Sequence, residues 1–213
     1  TAARSASNCF ENKWPCVSMS GVVIGAAKFG TGVRPGGGRR FAAMSSLLAY
    51  PIGRFDLRAP FSVEERRAAV ADIAALPARL RAAVADLTDT QLDTPYRPGG
   101  WTVRQVVHHL ADSHLNAYTR FKLALTEDEP LIKTYDQDAW AALPDSRLPI
   151  EASLALVDGV HQRWAVLLNS LDEAQWQRRL RHPELGLVTL HPYAGLYAWH
   201  GRHHLAHIIG ALS

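Results

Sequence analysis

The sequence predicts an all-α four-helix bundle with short extra helices in its loops. Three observations carry the prediction. Four long segments place apolar residues at three- and four-residue spacing, and loops of ordered length join them. The third observation is negative: no segment shows convincing strand alternation, and no internal repeat is visible.

The 213 residues suffice for one domain with a substantial core. Residues 1–43 have no helical or strand period and carry scattered glycines and the run PGGGRR. Such a stretch cannot bury enough apolar surface to offset its ordering entropy, so it is expected to be a disordered or non-native leader. The domain itself is expected to span 44–213, from Met44 onward. Arg4, Lys13, Lys28, Arg34, Arg39 and Arg40 in the leader account for much of the formal charge of +3, and the remainder is slightly acidic. That balance gives little support for nucleic-acid binding. Both cysteines, Cys9 and Cys16, also lie in the leader, so the domain has neither a disulfide framework nor a thiolate cluster. No run reaches the length that spans a bilayer. GVVIGAA (21–27) is a weak signal-peptide core with poorly fitting flanks. A cytoplasmic protein with no membrane or nucleic-acid partner is expected.

In chain order, YPIGRFDLRAP (50–60) is an extended entry punctuated by prolines and a glycine. Ser62 and Glu65 form a capping box for a helix to about Leu87, with Val70, Ile73, Leu76, Leu80 and Val84 on its apolar face. Pro77 lies inside it, where it removes one intrahelical hydrogen bond and should bend the helix. Thr88–Gln91 starts a short turn that TPYRPGG ends. Thr102 and Gln105 form a second capping box, opening a helix to about Thr126 with Val103, Val106, Val107, Leu110, Ala117 and Phe121 inward. A short helix is possible at Asp136–Leu143 in the loop that follows. The third long helix is expected from Ile150 to about Ser170, with Leu154, Val157, His161, Trp164, Val166 and Leu168 inside. Asp172–Gln175 caps another turn, HPELGLVTL (182–190) can hold a small hairpin, and Pro192 is read as opening the last helix to Leu212.

That last helix concentrates the chemistry. WHGRHHLAHI holds His200, His203, His204 and His207, and both His200/His204 and His203/His207 are i, i+4 pairs. Either pair stacks two imidazoles on one helix face, the geometry by which one helix offers two nitrogens to one ion. A metal site normally needs a third protein ligand. His182 and His191 are placed at loop or cap positions, and His161 reads as a hydrogen-bonded core residue. His108 and His109, with Asp112 one turn beyond His109, sit mid-helix where a bundle could bring one of them to the final helix.

YPIGRF, QLDTPYRPGGWTVRQVVHHLADSHLNAYTRFKLALTEDEP, YDQDAWAAL, SLALVDGVHQRW, HPELG and GLYAWHGRHHLAHI together resemble the YfiT branch of the DinB-like superfamily. Bacillithiol S-transferases and proteins labelled metal-dependent hydrolases belong to that branch. The resemblance covers about residues 50–210 and implies a four-helix bundle, often a homodimer, with a three-histidine divalent-metal site. It assigns His109, His200 and His204 as ligands, and leaves His203 and His207 to support or pack around them.

The implied cofactor is one divalent ion per chain, with zinc or nickel suiting three nitrogen ligands. Three neutral imidazoles would leave that ion its full charge, enough to ionise a thiol or a water near neutral pH. The resemblance tilts the expectation toward transfer of a low-molecular-weight thiol to an electrophile, with metal-dependent hydrolysis and a non-catalytic metal-stabilised bundle as alternatives. Asp112 is a candidate to orient His109 or accept a proton. Arg104, Arg120 and Lys122 are candidates for an anionic thiol, weighed against plain solvated surface charges, and Trp101 and Tyr118 read as core or rim packing.

Overall fold

The computed structural model describes residues 48–212. The expected leader, 1–43, and the expected domain start at Met44 lie outside the described residues. Four long helices dominate: α1 (Val63–Val84), α3 (Val103–Thr126), α5 (Glu151–Asn169) and α7 (Leu190–Gly210). Between them lie the short helices α2 (Asp89–Leu92), α4 (Gln137–Ala141) and α6 (Glu173–Trp176), and a 3₁₀ turn at Pro144–Arg147. The expected bundle is present.

Local chemistry explains where these helices start. Ser62, Thr88, Thr102 and Asp172 each accept a hydrogen bond from the backbone three residues on, and Glu65, Gln91, Gln105 and Gln175 reach back to the cap. Each box satisfies two of the amide groups a helix start leaves unbonded. α1 runs unbroken through Pro77 and ends at Val84, one turn earlier than its apolar pattern suggested. α7 begins at Leu190, not at Pro192, with Thr189 as its cap. Proline is tolerated there because none of the first four amides of a helix has an intrahelical partner.

The possible hairpin is real: β1 (Arg179–His182) pairs antiparallel with β2 (Gly186–Thr189), with Leu180 opposite Val188. Those two side chains are buried. The turn closes at Gly186, whose φ of +77° only glycine adopts without cost. Four-residue strands are too short for the alternation that would have revealed them.

Around the bundle, α1 packs on α5 and α7, and α3 packs on the same two helices. α1 and α3 therefore face each other diagonally. Gly201 lets α7 approach α1 closely, because a Cβ there would stand 2.8 Å from Leu76 Cδ2. The core divides into two apolar clusters. One holds Ile73, Ala117, Phe121, Trp164, Leu168, Tyr193 and Tyr197. The other holds Leu76, Leu80, Val106, Leu110, Val157, Leu205 and Ile208. Burying each large aliphatic side chain of this kind stabilises the fold by about 1.5–3 kcal/mol. Each long helix changes cluster over a few residues, and on α3, α5 and α7 His114, His161 and His200–His204 occupy the change. A layer of imidazoles thus crosses the bundle between two dry layers.

Three sequence expectations are corrected. Val166 is 70% exposed, since it lies on the opposite face of α5 from Trp164 and Leu168. Arg104 and Arg120 are buried, not solvated. Arg104 donates to Asp93 and Asp89 at 2.7 Å each, which ties α3 to the short helix before it. Arg120 donates to the Lys133 carbonyl at 2.7 Å and to the Tyr197 hydroxyl at 3.1 Å, holding the 127–136 loop on the bundle. Both arginines are structural fasteners. Lys122 is exposed, as expected.

Candidate metal centre

His109 reaches the histidine layer from α3, and His200 and His204 reach it from consecutive turns of α7. All three are buried. Their ligand atoms lie within 4.8 Å of one another, and His109 Nε2 is 3.2 Å from His200 Nε2. Two nitrogens bound tetrahedrally to one ion at about 2.0–2.1 Å stand roughly 3.3 Å apart, so the spacing fits a shared divalent ion. The donor set fits too. Burial holds the His109 imidazole down to about 3 and pushes His200 and His204 well below the ordinary histidine value, with neighbouring imidazoles adding to the effect. Neutral rings at neutral pH are what a metal requires.

The expected ligand trio is therefore brought together, and His108 is not part of it. Its ring points away, to Ser153 Oγ at 2.7 Å and the Leu148 carbonyl at 3.0 Å. His203 and His207 lie beside the trio. His203 stacks on Trp199 at 4.6 Å and His207 on Tyr96 at 4.0 Å, while His207 Nδ1 stands 3.4 Å from His204 Nδ1. His203, His204 and His207 also bring ligand atoms within 4.8 Å of one another. His204 belongs to both groups, so the second is an extension of the first and not a separate site.

Asp112 is half-buried on α3, and burial together with the Asp145 charge raises its carboxyl to about 6. It therefore changes protonation close to neutral pH. Trp101 covers His109, with ring centroids 4.7 Å apart, and its Nε1–H donates to Asp138 at 3.1 Å. It packs at the rim, as expected. Tyr118 carries Lys122 and Arg163 over its ring, also a packing role. A surface hollow lined by Leu57, Arg58, Leu187 and Pro192 contains no histidine or carboxylate, so the chemistry follows the side-chain cluster.

Sequence reasoning missed the company behind His200. His200 Nδ1 lies 3.0 Å from His114 Nε2, His114 Nδ1 lies 2.9 Å from His161 Nε2, and His161 Nδ1 lies 2.6 Å from the Ile73 carbonyl. His161 is indeed a hydrogen-bonded core residue. Its partner, however, leads to the metal position.

A helical bundle whose core brings three neutral histidines from two helices to one point defines a class of metal-binding bundle proteins. The chain belongs to the DinB superfamily, whose family model matches residues 72–208. It is 53% identical over 161 residues to a Bacillus cereus (strain B4264) protein named "Putative metal-dependent hydrolase", covering 76% of this chain and 93% of that one. A protein of the same name from Bacillus thuringiensis subsp. konkukian (strain 97-27) matches equally well, at 53% identity over the same lengths. Among solved structures, YfiT from Bacillus subtilis aligns with a TM-score of 0.74 and 49% identity, over 78% of this chain and 95% of its own. YfiT is described as "a probable metal-dependent hydrolase with an unusual four-helix bundle topology".

Proposed function

We propose that the protein is a divalent-metal-dependent enzyme whose ion, held by His109, His200 and His204, ionises a low-molecular-weight thiol for transfer to an electrophile. One observation carries the reading: the candidate ligands are three buried, neutral imidazoles. A bound ion in this set keeps its whole positive charge, which lowers the pKa of a thiol or a water that it meets. The chain's own residues supply the rest. His109 and the His200/His204 pair would hold the ion, and Trp101 packs against the His109 ring. We assign Asp112, one turn beyond His109 on α3 and with its carboxyl raised to about 6, as the group that would take up the proton the nucleophile releases. The resemblance to a branch that includes bacillithiol S-transferases supports the thiol as that nucleophile.

Hydrolysis is the second reading, favoured by the names that the relatives carry. There the same three histidines would serve a water nucleophile, with Asp112 as general base. One experiment separates the two. The zinc- or nickel-loaded protein is given monochlorobimane or an epoxide with bacillithiol, mycothiol, glutathione and cysteine in parallel, beside a panel of esters and amides. Metal-dependent conjugation with one thiol supports transfer. Cleavage of an ester or amide with no conjugation replaces it with the hydrolase.

A further inference from the structure

We infer that Pro77, the Ile73 carbonyl, His161 and His114 form a positioning chain that holds His200 as its Nδ1–H tautomer and presents its Nε2 lone pair to the ion. The inference rests on the three-histidine reading above and extends it to residues that touch no metal.

The chain begins at a proline. In an α-helix the carbonyl of residue 73 accepts the amide N–H of residue 77. Pro77, inside α1, has no N–H to give. His161 Nδ1 stands 2.6 Å from the Ile73 carbonyl instead. A carbonyl can only accept, so the His161 proton is on Nδ1. A neutral imidazole carries one N–H, which leaves His161 Nε2 as an acceptor. His114 Nδ1, 2.9 Å away, must be its donor. His114 Nε2 is then an acceptor in turn, and His200 Nδ1, 3.0 Å away, must donate to it. His200 is left with its lone pair on Nε2, the atom 3.2 Å from His109 Nε2.

Reversing any one link of this chain sets two N–H groups or two lone pairs face to face. The three rings are 0–1% exposed, so no solvent water stands in for a broken link. The chain draws on all four long helices: Pro77 and Ile73 from α1, His161 from α5, His114 from α3 and His200 from α7. The chain therefore ties ligand orientation to the packing of the whole bundle.

Metal-binding histidines generally donate their second N–H to a carboxylate, a carbonyl or water. Here the immediate acceptor is a neutral imidazole, and the carbonyl stands two rings further on. The ligand is oriented without a negative charge being added beside the ion. That preserves the charge on which ionisation of a nucleophile depends.

Two measurements test the chain. Long-range ¹H–¹⁵N correlation spectra of the metal-free protein near neutral pH read each tautomer. The expected result is Nδ1–H at His161, His114 and His200, and an Nε2–H tautomer at His200 or His114 overturns the inference. Zinc affinity is then compared among wild type, His114→Gln and His114→Leu. Glutamine offers both an acceptor oxygen and a donor N–H, whereas leucine fills the space with neither. His114→Leu is expected to weaken zinc binding by about 10–100-fold, with His114→Gln recovering most of it. Unchanged zinc affinity in a well-folded His114→Leu protein overturns the inference. If that variant does not fold, the tautomers of the wild-type protein decide. Failure of the metal reading itself looks different: His109→Ala would retain its zinc while the three tautomers stayed as inferred.

Discussion

Acid should unfold the metal-free protein at an unusually mild pH, because its core is built on imidazoles that must stay neutral. His109, His114, His161, His200, His203, His204 and His207 are all buried, and burial depresses every one of them. In the unfolded chain each titrates at about 6.5. Below that value the unfolded state binds more protons than the folded one, so stability falls as pH falls. The loss levels off only below the folded values, which are about 3 for His109 and His203 and about 4 for His161 and His207. Between pH 7 and about pH 5.5 each of these four histidines costs roughly 1.3 kcal/mol, about 5 kcal/mol together, and His114, His200 and His204 act in the same direction. Asp112 runs the other way, since its raised carboxyl picks up a proton in the folded state, but it offsets only about 1 kcal/mol. Domains of this kind are typically stable by roughly 5–15 kcal/mol, so the histidine effect takes up a large part of the margin. Urea melts of chelator-treated protein, followed by helical circular dichroism, should lose about 1 kcal/mol between pH 7 and pH 6.5 and about 4 kcal/mol or more by about pH 5.5. A loss below about 3 kcal/mol at pH 5.5 would refute the claim that these rings are held neutral.

His109→Ala should abolish stoichiometric zinc or nickel binding, measured by elemental analysis after dialysis, while far-ultraviolet circular dichroism stays that of the wild type. Chelation of the wild-type protein should leave its helicity at 25 °C, because two apolar clusters hold the bundle without the ion. Restoring metal at about a hundred times its dissociation constant should stabilise the fold by about 2.7 kcal/mol, roughly 5–11 °C in a thermal scan. Loss of helicity on chelation would instead mark the ion as a structural element. Gly201→Ala should cost about 1–3 kcal/mol from overpacking against Leu76, partly offset by about 1 kcal/mol of helix propensity. It should also weaken metal binding, because the strained residue adjoins His200; unchanged affinity in a zinc titration would show that α7 has room to shift.

Local chemistry made most of the architecture legible. The boxes at Ser62/Glu65, Thr88/Gln91, Thr102/Gln105 and Asp172/Gln175 are short-range patterns whose hydrogen bonds close within one turn, so they could be read without knowing the fold. The apolar period of the four long helices is equally local. Val166 is exposed although its spacing points inward, because α5 is apolar over much of its circumference and a broad stripe does not say where its edge lies. The burial of Arg104 and Arg120 is hidden from the sequence for a related reason. A charged residue on a helix is exposed by default, and only the arrival of Asp89, Asp93, Tyr197 and the Lys133 carbonyl made burial affordable.

The candidate site divides in the same way. The i, i+4 pairs of the last helix follow from helical geometry alone, and the motif resemblance selected His200, His204 and His109 among the candidates. That His109 Nε2 comes within 3.2 Å of His200 Nε2 is a statement about how α3 and α7 cross, ninety-one residues apart in the chain. The path from Pro77 through Ile73, His161 and His114 to His200 was still further from view. Pro77 shows in the sequence that a carbonyl loses its donor; only the packing of α1, α3, α5 and α7 shows which side chain takes its place. Secondary structure and caps are set by neighbours along the chain, whereas tautomers and ligand geometry are set by neighbours in space.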